Sequence, residues 1–321
     1  GMVQLIYRTS HTDGERMVAD ARIGATGYTG SRHAGLQLKA AADAAGKPIY
    51  LELSSVNPIV ILPQAMGQRY EELATEFTGS CLMGTGQFCT NPGLVVVLKS
   101  DATDSFITAL SEQFAEAPVG TLLSSGVESS LESNLGVLVD AGAEIVVGNT
   151  PADSDRYCYA NTLLQITAQQ FIADPDTMQT EAFGNSSLLV VTESVDEVNA
   201  VIACFEGNLT GCIYSATDGS DDAAYDQIAA NLQSKVGRML NDKMPTGVAV
   251  SAAMNHGGPF PATGHPGFTA VGIPGSLLRF AMLQCYDNVR HDRLPASLRD
   301  ENLNGELWRC VDGNWTRGNI S

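Results

Sequence analysis

No Cys-x-x-Cys pair and no Cys/His cluster at metal-ligand spacing occurs in this sequence, so no metal is expected. There is no apolar run of about 18 residues and no apolar stretch behind a basic N-terminus, which leaves membrane spanning and secretion without support. The GxGxxG fingerprint of a dinucleotide-binding sheet is missing as well, as are internal repeats and low-complexity segments. Basic residues are scarce: 18 Lys and Arg stand against 36 Asp and Glu, a formal net charge of −18. Such a surface repels nucleic-acid phosphates and anionic lipid, so neither nucleic acid nor membrane is expected as a partner. The seven cysteines, at 81, 89, 158, 204, 212, 285 and 310, are odd in number and irregularly spaced. That fits reduced thiols in a cytoplasmic protein, with Cys81, Cys204, Cys212 and Cys285 read as inert buried hydrophobes.

What is present is core-forming material. At 321 residues and 44% hydrophobic, the chain can bury one core and has enough for two. Apolar strand-like runs alternate with helical periodicity, which predicts an α/β protein with a largely parallel sheet. Strands are expected at 3–7, 23–29, 48–53, 57–62, 93–99, 143–147, 187–192, 210–215 and 236–241. Helices are expected at 13–19, 31–45, from about 69 up to the Cys89 loop, 103–116, 127–141, 194–205 and 222–234. From about 255 the pattern gives way to His256-Gly257-Gly258-Pro259-Phe260-Pro261-Ala262-Thr263, read as a long ordered loop or a domain crossing. Residues 3–52 supply only about two βα units, and Gly1 before Met2 reads as a cleavage remnant, so the chain is expected to begin inside a domain.

Four short segments carry chemistry. Gly86-Gln87-Phe88-Cys89-Thr90, followed by Asn91-Pro92-Gly93, puts one thiol in a loop between a helix and an apolar strand, where it can face a cleft. Glu52 ends the apolar run 48–53, a position from which a carboxylate can serve as a base. A Cys that attacks a carbonyl and a carboxylate that later activates water are the two groups a thiol-dependent aldehyde oxidation needs. Thr29-Gly30-Ser31 lies where a strand gives way to a Ser-capped helix, whose free amides suit a pyrophosphate; strand-Gly-Ser-helix turns are also common with no ligand. Glu181, before Ala182-Phe183-Gly184, could accept from both hydroxyls of a ribose with Phe183 packed beside it; alone it reads equally as a solvated charge next to a core aromatic. The five histidines show no ligand spacing, and His256 is expected to make a loop hydrogen bond and is assigned no chemistry.

Taken in order, Tyr28-Thr29-Gly30-Ser31, Glu52-Leu53, Gly86-Gln87-Phe88-Cys89-Thr90 and Glu181-Ala182-Phe183-Gly184 resemble the cofactor turn, base, nucleophile and ribose-binding motifs of the aldehyde dehydrogenase superfamily. Ser55-Val56-Asn57-Pro58, Cys89-Thr90-Asn91-Pro92-Gly93, Pro245-Thr246-Gly247-Val248 and the run from His256 to Thr263 resemble its α-ketoglutaric semialdehyde (2,5-dioxovalerate) dehydrogenase branch, as do Leu294-Pro295 and Leu307-Trp308-Arg309. The resemblance covers the later part of a family chain. Two segments depart from it: Ser54 stands where the family has Gly after Glu-Leu, and Thr180-Glu181-Ala182-Phe183-Gly184-Asn185 replaces Glu-Glu-x-Phe-Gly-Pro, losing a Glu and a Pro.

The resemblance implies an aldehyde dehydrogenase-like catalytic domain with a parallel-type sheet and an incomplete Rossmann-like coenzyme domain. Its divisions would be 1–52 (end of the NAD(P)-binding domain), 53–262 (catalytic thiol domain) and 263–321 (a return to the coenzyme and oligomerisation region). It implies Cys89 as nucleophile, Glu52 as base, and Thr29, Gly30, Ser31, Glu181 and Phe183 as contacts of NAD or NADP. The reaction implied is oxidation of 2,5-dioxopentanoate to 2-oxoglutarate through a Cys89 thioester, with the oxyanion held by the Cys89 backbone N–H and by an Asn upstream of this chain. A homo-oligomer acting on a small aldehyde is expected. The alternative is a truncated, non-catalytic homologue serving as a structural or interaction subunit.

Overall fold

The computed structural model describes residues 2–152, 155–267 and 274–320. The chain divides into two compact units, 1–279 and 280–321.

The first unit opens with a small βα layer: α1 (His11–Ala19), β1 (Thr26–Thr29), α2 (Arg32–Ala44) and β2 (Ile49–Glu52). β1 and β2 pair in parallel, and Ile49, Leu51 and Leu53 pack with Val18 and Ala42 into a core of their own. Ser31 caps α2 by accepting from Ala34 N, as its position before the Ala/Leu-rich run predicts. The strand expected at 3–7 does not form; Met2, Val3, Leu5, Ile6 and Tyr7 are exposed, and apolar alternation without a neighbouring strand does not make a sheet.

A seven-stranded sheet follows, built from β3 (Ile59–Ile61), β4 (Leu94–Leu98), β5 (Glu144–Val147), β6 (Thr162–Thr167), β7 (Ser186–Thr192), β8 (Asn208–Tyr214) and β9 (Val236–Asn241) in the order 5-6-7-4-3-8-9. Every neighbouring pair is parallel except β5–β6. The central strand β4 reads Leu-Val-Val-Val-Leu and is buried throughout because helices cover both faces. On one face α3 (Pro63–Leu82) and α4 (Thr103–Glu116) contribute Met66, Leu73, Phe77, Phe106, Leu110 and Phe114. On the other, α5 (Ser125–Asp140), α6 (Ala168–Ala173), α7 (Pro175–Met178), α8 (Val195–Ala203) and α9 (Asp222–Leu232) supply the larger core cluster.

No strand is expected from the sequence between 143–147 and 187–192, yet β6 (Thr162–Thr167) forms there, between β5 and β7. α3 also begins earlier than its expected start near Arg69. Pro63 occupies its first turn and the Asp221 carboxylate accepts from Gln64 N and Ala65 N, while Arg69 itself leaves helical geometry (φ −151°) among Glu72, Glu76 and Asp242. After β9 the first unit runs without a regular strand or helix through Thr263, in keeping with the Gly/Pro-rich loop expected there.

The second unit, 280–321, holds short 3-10 turns and one antiparallel hairpin, β10 (Arg309–Val311) and β11 (Asn314–Thr316). Asp312 and Gly313, both at positive φ, make its two-residue turn. The sequence reading expected no strand here; three-residue strands are too short to carry an alternation.

Candidate active site

The site lies where two sets of strand ends converge. β1 and β2 deliver Thr29-Gly30-Ser31 and Glu52 at their C-terminal ends, whereas Cys89 and Glu181 stand on the loops that lead into β4 and β7. All seven residues singled out from the sequence line one cleft of about 620 Å³: Thr29, Gly30, Ser31, Glu52, Cys89, Glu181 and Phe183, with Ser54, Gln87 and Asn134 among their neighbours. That size suits a small-molecule site.

The two motifs flanking the nucleophile and base act as a brace. Asn57 sits in the left-handed region (φ 48°), which Asn tolerates, and its amide donates to Cys89 O at 3.0 Å and Asn91 O at 2.9 Å. Asn208 Oδ1 in turn accepts from Val56 N at 2.9 Å and Asn57 N at 3.1 Å. The segment after Glu52 is thereby tied to the Cys89 loop by buried hydrogen bonds, and removing the Asn57 amide would strand Cys89 O at a cost of about 1–3 kcal/mol, whereas Asn91 O keeps the Gly93 N–H. The loop is packed closely on its far side too. Gly86 (φ 67°) admits no side chain, since a Cβ there would lie 1.9 Å from Gly184 O, so the nucleophile loop and the Glu181–Gly184 segment lie against each other.

A residue to which the sequence reading assigned no chemistry stands at the centre. His256 is buried, and its Nε2 lies 3.4 Å from Cys89 Sγ and 3.0 Å from Glu52 Oε1. Burial pushes the imidazole down, but the hydrogen bonds to Cys89 and Glu52 and their charges prevail and hold its pKa up to about 9. Near neutrality His256 is therefore an imidazolium placed between the sulfur and the carboxylate. Because the folded value is raised, this stabilisation is complete below the ordinary value of 6.5 and is lost as pH rises through about 9. Thermal unfolding followed from pH 6 to 10 should show the wild-type midpoint falling over that window, with His256→Ala flattening the fall; an unchanged slope would show that the ion pair contributes nothing.

The other thiols differ in kind. Burial pushes Cys81 and Cys212 up to about 12, as expected of inert thiols. Two expectations fail: Cys285 is exposed and Cys204 only half-buried. Cys204 caps the end of α8, and Cys285 falls in the second unit, where little apolar surface is buried; its apolar neighbours in sequence, Met282 and Leu283, are exposed as well.

Glu181 lies on the cleft wall, and burial pushes it up to about 7, against the Ser55 N–H, the Ser54 hydroxyl and the Arg32 charge, which pull it down. Ser55 N approaches its Oε1 at 3.4 Å. Ser54, the residue in place of the family glycine, thus directs its hydroxyl to this carboxylate. Gly30 permits the tight turn above Ser31: a Cβ would come 2.6 Å from the Tyr28 hydroxyl, which donates to Ser31 O at 3.1 Å. A helix N-terminus, a carboxylate and an exposed Phe183 around one cleft fit the pyrophosphate, ribose and nicotinamide of a dinucleotide.

Residues 1–258 match the aldehyde dehydrogenase family. Alpha-ketoglutaric semialdehyde dehydrogenase 2 of Azospirillum brasilense is 36% identical over 94% of this chain and 57% of its own length. Alpha-ketoglutaric semialdehyde dehydrogenase of Acinetobacter baylyi is 34% identical over 90% of this chain and 55% of its own. The chain therefore spans about half the length of these relatives. In fold it is similar to betaine aldehyde dehydrogenase of Staphylococcus aureus, solved with NAD+, at a TM-score of 0.64 and 20% identity, over 78% of this chain and 49% of that one. On the extent of the family match and on its two relatives above 30% identity, the chain belongs to the aldehyde dehydrogenase family.

Proposed function

We propose that this chain is the catalytic part of an NAD(P)-dependent aldehyde dehydrogenase that oxidises 2,5-dioxopentanoate to 2-oxoglutarate. The observation that carries the reading is the line Cys89–His256–Glu52 at the wall of the cleft that also holds Thr29, Gly30, Ser31, Glu181 and Phe183. A non-catalytic subunit has no physical need to keep a buried imidazole between a thiol and a carboxylate. In this reading 1–52 ends the coenzyme-binding domain, 53–262 is the catalytic domain, and 263–321, of which 268–273 lie outside the described residues, returns to the oligomerisation region. Exposed Phe280, Met282, Leu283, Trp308 and Trp315 support burial of that segment in a homo-oligomer.

The chemistry follows from the groups present. Beside the His256 imidazolium Cys89 adds through Sγ, in its thiolate form, to the aldehyde carbon, and the Cys89 backbone N–H stabilises the oxygen that becomes negative. NAD or NADP, when bound, supplies the acceptor for the hydride that must leave that carbon. Ser31 and the start of α2 would hold the pyrophosphate, and Glu181 would accept from the ribose hydroxyls beside Phe183. Once the sulfur is acylated it no longer carries charge, and the proton on His256 Nε2 is left to Glu52 alone. Glu52 then takes a proton from the water that attacks the thioester carbonyl; the C–S bond breaks and the acid departs.

The substrate assignment draws on the names of the two relatives and on one side chain. Arg238, half-buried, exerts its charge on Cys89, and its Nε is buried with no hydrogen-bond partner among the described residues. A guanidinium near the nucleophile with a donor to spare suits an aldehyde that carries a carboxylate. In the whole enzyme, 2,5-dioxopentanoate should give 2-oxoglutarate with reduction of NAD or NADP. Arg238→Met should raise KM for this substrate about 10- to 100-fold, the worth of a charge-assisted hydrogen bond, while leaving KM for pentanal unchanged. No 2-oxoglutarate, or an equal change for both aldehydes, would refute the assignment.

A further inference from the structure

Cys89, Glu52 and His256 come from three segments far apart in sequence, yet their Sγ, carboxylate oxygen and imidazole nitrogen all lie within 4.8 Å of one another. One nitrogen, His256 Nε2, faces both partners, at 3.4 Å from the sulfur and 3.0 Å from the carboxylate oxygen. In a tetrahedral zinc site the bonds are about 2.3 Å to sulfur and about 2.0–2.1 Å to nitrogen and oxygen, which separates the donors by about 3.3–3.6 Å. The three donors are thus within a few tenths of an ångström of that spacing on the two edges measured. Glu52 and Cys89 also line the open cleft, which gives an ion a way in and leaves its fourth position to water.

We propose that this triad is a binding site for a borderline-soft divalent cation, zinc above all, and that occupancy silences the nucleophile reversibly. Zinc suits the donor set because thiolate, imidazole and carboxylate are its ordinary ligands, whereas magnesium and calcium take oxygen alone. The ion enters as Zn²⁺ and any protons on the three donor atoms leave to solvent, since metal ligands bind deprotonated. Thiolate and carboxylate then cancel its charge, so the buried site gains no net charge it cannot hold. A sulfur bonded to zinc has its lone pair engaged and cannot add to a carbonyl. Nothing in the sequence shows this, since the ligands follow none of the local spacings of zinc motifs.

The binding itself is independent of the dehydrogenase reading and is tested without substrate or coenzyme. Residues 285 and 310 are exposed thiols that could bind metal on their own, so the reference protein carries Cys285→Ser and Cys310→Ser. Titration with Co²⁺ should reach one ion per chain with a thiolate-to-cobalt charge-transfer band in the near ultraviolet, and Zn²⁺ should displace it. Zn²⁺ should also protect Cys89 from iodoacetamide, with protection removed by EDTA. Cys89→Ser should abolish the band, and His256→Gln, which retains the thiol, should weaken Zn²⁺ at least about tenfold, each confirmed as folded by circular dichroism. Absence of stoichiometric binding, a spectrum without the thiolate band, or unchanged affinity in both variants would overturn the site. In the whole enzyme, loss of activity on Zn²⁺ addition that parallels the Cys89 protection curve would extend it to regulation, and full activity at saturating Zn²⁺ would overturn the silencing.

Discussion

Replacing Cys89 by alanine should lower hydrolysis of p-nitrophenyl acetate by at least about 10³-fold and abolish the acetyl adduct that mass spectrometry should detect on the wild-type chain. An activated ester is the informative probe because it needs no coenzyme and so reads only groups this chain carries. Its carbonyl can be attacked by a thiolate, its leaving group departs without help, and the acyl-enzyme that results is a Cys89 thioester like the one the oxidation would form. The magnitude follows from other nucleophile removals, where losing the attacking atom costs as much as losing the whole catalytic set. Cys81, Cys158 and Cys212 are buried, so they cannot substitute. Half-buried Cys204 and exposed Cys285 and Cys310 can acylate, so the comparison is made in a chain with these three replaced by serine. If Cys89→Ala retains its turnover, the cleft is not the reactive centre and the mechanism fails at its first step.

Glu52→Gln should separate the two halves of the reaction. The first equivalent of nitrophenol should still appear as a burst, since attack needs only the thiolate, while the steady rate should fall about 10²- to 10⁴-fold because water is no longer deprotonated. The acetyl group should then accumulate on Cys89. His256→Ala should instead slow the burst itself, since the imidazolium acts on the sulfur. This pairing separates base from activator, although both touch the same nitrogen. An unchanged steady rate in Glu52→Gln would make the carboxylate a structural partner of His256 and nothing more.

Much of the framework follows from local pattern. Leu94–Leu98 is apolar at every position and could only be a strand covered on both faces; Ser31 before an Ala-rich run could only cap a helix; and Gly86-Gln87-Phe88-Cys89 places its thiol on a loop between a helix and that strand. The seven expected site residues needed no structure to be named, because each sits in a short contiguous motif. Where local pattern failed, the missing information was non-local. The strand expected at 3–7 lacks a partner, β6 is stabilised by neighbours on either side, and Cys285 lies on a surface that alternation does not reveal.

His256 marks the limit most clearly. In sequence it precedes two glycines on a loop and looks like any turn residue; only the fold carries that loop back, with Thr263 bridged to Glu52, so that its imidazole is buried between a thiol and a carboxylate. The sequence by itself thus determined the α/β class and singled out the candidates for nucleophile, base and cofactor turn, because short motifs depend on the order of neighbouring side chains. The convergence of β2's end, the Cys89 loop and the His256 loop, and with it the proton held among three ionisable groups, was decided by tertiary structure alone, because charge and proton sharing depend on distances that no spacing along the chain encodes.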